Sequence, residues 1–209
     1  MQLSDIASTS KLAEHAYYIN MDHQQGRREH FVQLMRAVGL TPVRVQPVPD
    51  KVSFISGTKT HKLILETIAK LEGDQYHCVF EDDVEVAPGL DVSHVKSYIR
   101  QELERTQDPV GFIYLGVCLT QAQFQTCQPH VCNAKCAHAY MVTPAGARWL
   151  LQNVDDAEWE SEWMDNILPK MLSPPMLGYH LIHYDEPTWR GLFYQARRAE
   201  WYEAGLTEG

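Results

Sequence analysis

Positive charge, long apolar runs and paired cysteines are what this sequence has little of, and each shortage excludes a class of function. Lys and Arg number 18 against 27 Asp and Glu, for a formal net charge of -9. A surface for nucleic-acid phosphates needs clustered Lys and Arg, so no nucleic-acid partner is expected. The acidic excess itself speaks only to solubility. No apolar run approaches a membrane span, and residues 1–11 (MQLSDIASTSK) have no apolar core, so neither a transmembrane segment nor a signal peptide is expected. Five cysteines, an odd number, fit a reducing compartment better than a disulfide framework. Cys127, Cys132 and Cys136, with His130 and His138 interleaved, bring zinc to mind, but spacings of five and four match no standard zinc pattern, and free thiols are expected instead. No G-x-G-x-x-G follows the first strand and no G-x-x-x-x-G-K-[ST] occurs, so neither the dinucleotide fold nor the P-loop is supported. The expectation is a soluble, cytoplasmic protein. At 209 residues and 44% hydrophobic content, the default is one α/β domain over 1–209.

What is present in strength is acid at one point. Residues 76–80 (YHCVF) read as a short buried strand that ends in Glu81, Asp82 and Asp83, with Glu85 one residue beyond Val84. Adjacent carboxylates repel one another and are costly to hold together without a cation. Mg²⁺ and Mn²⁺ take oxygen ligands and often bind through one or two carboxylates plus a substrate's phosphates. In open α/β sheets, ligands sit outside the carboxyl ends of strands, where this cluster falls. A solvated acidic turn is the other reading of the same residues.

The rest of the chain alternates. Residues 16–21 (AYYINM) form a strand, and Phe31, Leu34, Met35 and Val38 mark one helical face closed by Gly39. Arg27 and Arg28 fall in the first turn of that helix. Arg28 reads as a solvated surface residue, whereas the donor fork of Arg27 matches a diphosphate. A second strand is expected over 43–48 and a loop over 53–57. A helix from Thr58, with Ile64, Ile68 and Leu71 on one face and Gly73 at its end, puts His61 in its first turn. A lone helical histidine is usually a capping or packing residue. A helix marked by Val92, Val95, Ile99 and Leu103 and a strand over 110–115 follow. Strand and helix alternating in this way predict a mostly parallel central sheet flanked by helices. After a Gln-rich loop over 118–135 comes a strand over 136–142, then a helix starting at Thr143-Pro144. Trp159 and Trp163, set among acids, either pack a helix onto the domain or stack a sugar ring. A strand over 179–184 carries His180 and His183, and the tail holds Arg190, Arg197 and Arg198.

Several of these blocks, in order, resemble the family 25 glycosyltransferases, which include bacterial lipooligosaccharide galactosyltransferases and procollagen galactosyltransferases. Residues 18–22 (YINMD) followed by Arg27-Arg28-Glu29 look like that family's opening "INLD…R" block, and 57–68 (GTKTHKLILETI) is similar to its Gly…Ser-His helical block, with Thr60 in place of serine. Residues 79–84 (VFEDDV) look like "LEDDV", 113–116 (IYLG) and 139–151 (AYMVTPAGARWLL) like later blocks, and 163–165 (WMD) like a downstream aspartate block. Met21 replaces the usual leucine, Cys136 stands where glycine is common, and the 118–135 loop has no counterpart.

The resemblance implies an A-type glycosyltransferase fold, Rossmann-like, with residues of about 16–116 holding a nucleotide sugar and about 117–209 an acceptor. It implies a metal-dependent, inverting transfer of galactose or glucose from a UDP-sugar to a glycan or hydroxylated acceptor, as in lipopolysaccharide biosynthesis. Mn²⁺ or Mg²⁺ is expected on Glu81 and Asp83, with His183 as a third ligand. Ile19, Asn20, Asp22, Arg27, His61 and Asp82 are expected at the nucleotide, and Asp165 as the base on the acceptor hydroxyl. A catalytically silent nucleotide-sugar-binding module of the same fold is the alternative.

Overall fold

The computed structural model describes residues 11–105, 111–117, 137–172, 180–181 and 191–195. The 118–135 loop, Cys127, Cys132, Cys136, most of the strand expected over 179–184 with His183, and the basic tail lie outside them. The elements follow one another as β1 (Leu12–Ile19), α1 (Gln25–Val38), β2 (Thr41–Val45), α2 (Ser53–Ala69), β3 (Tyr76–Glu81), β4 (Val84–Val86), α3 (Val95–Arg105), β5 (Phe112–Tyr114), β6 (Ala139–Val142), α4 (Pro144–Asn153), α5 (Asp156–Ser161), α6 (Met164–Leu172), β7 (His180–Leu181) and β8 (Phe193–Gln195). Among the described residues, no helix is long and apolar enough to cross a membrane.

One sheet has the order β2-β1-β3-β6-β5-β7, and β4 pairs separately with β8. β1 runs parallel to β2 and β3, and β5 parallel to β7, while β6 is antiparallel to both its neighbours. The expected α/β architecture with a mostly parallel central sheet is therefore what the chain forms. Helices cover both faces because the strands alternate. Cys78 and Phe80 of β3 turn to one face, where Phe31 and Met35 of α1 and Ile99 of α3 pack. Val79 turns to the other, beneath Ile64 and Ile68 of α2, Leu150 of α4 and Trp159 of α5. A central strand buried on both faces reads as a continuous apolar run, and β3 does.

Local signals explain several boundaries. Gly39 takes φ +83 after α1, and its amide and that of Leu40 return to Arg36 and Met35, which closes the helix. Thr143 caps α4 by accepting the Gly146 amide at 3.0 Å, with Pro144 next. Pro42 is tolerated because β2 lies at the sheet edge.

Other expectations need correcting. α2 begins at Ser53, so the loop expected over 53–57 is helix and His61 sits mid-helix rather than in a first turn. Gly57 and the hydroxyl residues disguise that start. Their hydroxyls are spent on fixing it: Ser56 donates to the Val48 carbonyl at 2.6 Å, and Thr60 accepts the Val48 amide at 2.9 Å. α2 also stops at Ala69, short of Gly73, which takes φ +92 in the following turn. β1 starts at Leu12, its first pairing with Tyr76 separated from the rest by a register irregularity. Val92 lies in a short 3₁₀ turn capped by Asp91 rather than in α3. Trp159 is buried in the core, whereas Trp163 falls between α5 and α6, half exposed beside Phe54. The two tryptophans therefore do not share a helix face.

Candidate functional site: a cleft where β1 and β3 end

The order 2-1-3 at one side of the sheet dictates where a ligand can enter. From β1 the chain crosses through α1 to β2, then returns through α2 to β3 on the other side of β1. The connections leave β1 and β3 in opposite directions, so a crevice opens between the carboxyl ends of these two strands. A cleft of about 220 Å³ occupies that position. Ile19 and Asn20 line it from β1, Glu81, Asp82 and Asp83 from β3, Gln24 and Arg27 from the start of α1, and Ser53, Ser56 and Gly57 from the start of α2. A methyl group added at Gly57 would meet nothing within 4 Å, so the helix leaves room on that side.

The three adjacent acids are held differently. Asp82, 7% exposed, accepts from Asn20 Nδ2 at 2.6 Å and from Arg27 Nη1 at 3.2 Å. It ties β3 to β1 and to α1. Glu81 and Asp83 share a different donor: Gln195 Nε2 lies 2.8 Å from Glu81 Oε2 and 3.1 and 3.3 Å from the two Asp83 oxygens. The fourth acid of the run is drawn off, since Glu85 pairs with His30 of α1 at 2.6 Å. Arg27 approaches Asp83 only to 3.8 Å. Burial first and the Glu81 charge second push the Asp83 carboxyl up to about 6, against the pull of Gln195 and Arg27. Asp83 is thus a crowded, desolvated carboxylate, with the partly exposed Glu81 beside it.

Asn20 is the hub of the cleft wall. Besides Asp82, its side chain donates to the Gln24 carbonyl at 3.1 Å and accepts from Arg28 Nε at 3.0 Å and Arg44 Nε at 3.1 Å. Arg28 also donates to the Asp22 carbonyl at 2.9 Å. Arg28 is therefore no solvated surface residue; it braces the turn between β1 and α1. The Asp22 carboxylate does not line the cleft. It accepts from Arg44 at 2.6 Å and Gln46 at 2.8 Å, and the Arg44 hydrogen bond holds its carboxyl below the usual range.

Behind Glu81 lies a buried pair. His61, 1% exposed, places Nδ1 3.1 Å from the Tyr140 hydroxyl and Nε2 3.7 Å from Glu81 Oε1. Nε2 has no hydrogen-bond partner. Burial, and then the Glu81 charge, raise the Tyr140 hydroxyl far above its ordinary range, so it stays protonated. His61 backs the acid rather than lining the cleft. Asp165, 6% exposed, accepts the Ala137 amide at 2.8 Å, and the neighbouring His138 carbonyl accepts the Glu81 amide at 2.9 Å. Asp165 is thus tied to the backbone beside the acids without lining the cleft.

The donor set suits a hard divalent cation in part. Among the described residues, no cluster of three or more His, Cys, Asp and Glu side chains is arranged to hold an ion. Two crowded carboxylates match the sparser pattern of Mg²⁺ and Mn²⁺ sites, in which water and phosphate complete the shell. Sequence reasoning missed Gln195, Arg44 and the serines of α2. Gln195 carries no local signal, since its partners lie 112 and 114 positions away.

No family model matches the chain, and no curated protein matches it by sequence. Among solved structures it is similar to a glycosyltransferase involved in the glycosylation of the major capsid of PBCV-1, with 13% identity, 90% of this chain and 98% of that one covered, and a TM-score of 0.53. A putative glucose-1-phosphate thymidylyltransferase from Bacillus anthracis in complex with a sucrose gives 13% identity, coverage of 92% and 77%, and a TM-score of 0.47. The glycosyltransferase GlyE of Streptococcus pneumoniae TIGR4 gives 10%, coverage of 82% and 45%, and 0.38. The latter two superpose too loosely to carry an argument. The first bears on the fold: this chain has a glycosyltransferase-like α/β fold.

Proposed function

We propose that the protein is a metal-dependent glycosyltransferase of the family 25 type, moving galactose or glucose from a UDP-sugar to a hydroxyl of a glycan or hydroxylated acceptor with inversion. The observation that carries this reading is one juxtaposition: the Glu81–Asp83 pair, the Arg27 guanidinium and the start of α2 all face a single cleft where β1 and β3 end. A nucleoside diphosphate is the ligand that uses all three. Glu81 and Asp83 would hold Mn²⁺ or Mg²⁺, which would neutralise charge developing on a departing diphosphate. Arg27 offers a planar fork of donors to phosphate oxygens, at the expense of its contacts to Asp82 and Asp83. The unpaired amides at the start of α2, a helix of 17 residues, favour anionic oxygen there. Asn20 holds the wall rigid, and Asp82, hydrogen-bonded to Asn20, supports rather than binds the cation.

Asp165, which accepts the Ala137 amide and does not line the described cleft, is proposed as the base that takes the acceptor proton on the sequence resemblance alone. The galactose or glucose preference and the inverting course rest on the sequence resemblance alone.

The test is release of UDP from UDP-galactose and UDP-glucose with and without Mn²⁺. Metal-dependent release, abolished by EDTA and by Asp83→Ala, is expected. Release that continues in EDTA or survives Asp83→Ala would refute the reading. UDP-sugar binding with no turnover, with or without acceptor, would reassign the chain as a binding module.

A further inference from the structure

Gln195, the last residue of β8, stands between the two acids assigned to the cation. The backbone fixes it there. Gln195 pairs with Val84, the residue after Asp83, in the β4–β8 ladder. β8 itself is pressed against the main sheet at two glycines: a Cβ on Gly116 would lie 2.2 Å from the Phe193 carbonyl oxygen, and one on Gly191 2.6 Å from that of Leu115.

The spacing of this group is that of a ligand. Two oxygens on adjacent corners of an octahedral ion with bonds of about 2.1 Å stand about 3 Å apart. Gln195 Nε2 is 2.8 Å from Glu81 Oε2 and 3.1 Å from Asp83 Oδ1. A primary amide carries its oxygen on the opposite arm from its nitrogen, and a half-turn of the terminal torsion exchanges them. Facing two carboxylates, the NH₂ group must point inward; facing a cation, the carbonyl must. His61 stands behind one of these acids, Glu81. Its Nε2 is buried, has no hydrogen bond and is aimed at Glu81 Oε1 from 3.7 Å. It is a donor in reserve for the acid whose other oxygen Gln195 holds.

We propose that Gln195 is a third oxygen ligand of the divalent cation, its amide turning over on binding from NH₂ inward to C=O inward. The inference rests on the reading of Glu81 and Asp83 as the cation site. It places in that site an oxygen from a residue 112 positions beyond Asp83 and makes cation binding hold β8 against β4.

The experiment is titration of Mn²⁺ into EDTA-stripped, dialysed full-length protein, with free Mn²⁺ read by electron paramagnetic resonance, with and without UDP. Gln195→Ala is expected to weaken Mn²⁺ binding about tenfold or more. Gln195→Glu, which keeps an oxygen at that position and adds charge, is expected to bind at least as tightly as wild type. Thermal unfolding of each variant shows whether it is folded. Equal affinity in wild type and Gln195→Ala overturns the inference, as does tighter binding in Gln195→Ala, which makes the amide only a competitor. Should Gln195→Ala not fold, weakened binding in a folded Gln195→Glu overturns it. If wild type itself takes up no Mn²⁺ even with UDP present, the cation reading of Glu81 and Asp83 fails, and this inference with it.

Discussion

Asp83 allows the energetics of the site to be tested without any substrate. Its side chain is 13% exposed, and its carboxyl titrates at about 6 instead of the ordinary 3.8, chiefly through burial and then through the Glu81 charge. The folded protein thus holds this proton more tightly than the unfolded chain does. The associated stability is fully present below about pH 4 and is lost as pH rises through about 6. A displacement of roughly two units corresponds to about 3 kcal/mol. Asp83→Asn removes the charge, keeps the shape and still offers Gln195 Nε2 an acceptor. In EDTA at pH 8, the variant is therefore expected to exceed wild type in unfolding free energy by about 2–3 kcal/mol, or roughly 4–12 °C in midpoint for a chain of this size. The gap should narrow steadily toward pH 4.5. Urea denaturation at a series of pH values measures it. A variant no more stable than wild type at pH 8, or a gap independent of pH, would show that these acids are solvated and refute the reasoning. The same substitution is expected to abolish Mn²⁺-dependent turnover, so a gain in stability would accompany a loss of activity.

Asn20→Ala strips a buried side chain of four hydrogen bonds and leaves Asp82 with Arg27 alone; a loss of about 3–5 kcal/mol is expected in urea denaturation, and a loss under about 1 kcal/mol would deny Asn20 its role as hub. Asp165→Asn keeps the oxygen that accepts the Ala137 amide, so UDP affinity by calorimetry should be unchanged while transfer is lost; weakened UDP affinity would reassign the residue. His77, 8% exposed with Nδ1 unpartnered, is held below its usual pKa of 6.5 by burial first and His15 second. Its contribution is full above that value and lost as pH falls, so His77→Leu should gain on wild type in melting temperature between pH 7 and pH 5, and parallel curves would contradict this.

Much of the fold was legible because its signals are local. Gly39, the Thr143-Pro144 start and the apolar run of β3 each act within a few residues, and each element lies where those signals put it. The acid run likewise falls at the end of β3, where its carboxylates line the cleft. What stayed hidden is non-local or disguised. β4 and β8 are three-residue strands that exist only through each other, and Glu85 makes β4 read as more of the acid run. Ser53, Ser56 and Gly57 have poor helix propensity, yet the loop over 46–52 holds them helical, and this moved the start of α2 into the cleft. Nor does any pattern separate Asp82 from Asp83. Asn20 and Arg27 both donate to the first, burial destabilises the charge of the second, and both facts belong to the packed structure.

The ribbon that β8 forms with β4 sets an order of assembly. Gln195 must travel back 112 positions to reach Asp83, so this contact forms only after residue 195 has left the ribosome. Until then, the nascent sheet carries Glu81 and Asp83 without the amide that bridges them. A chain terminated before residue 191 retains β1, β3 and both acids but loses that bridge, and with it the clamp on the crowded pair.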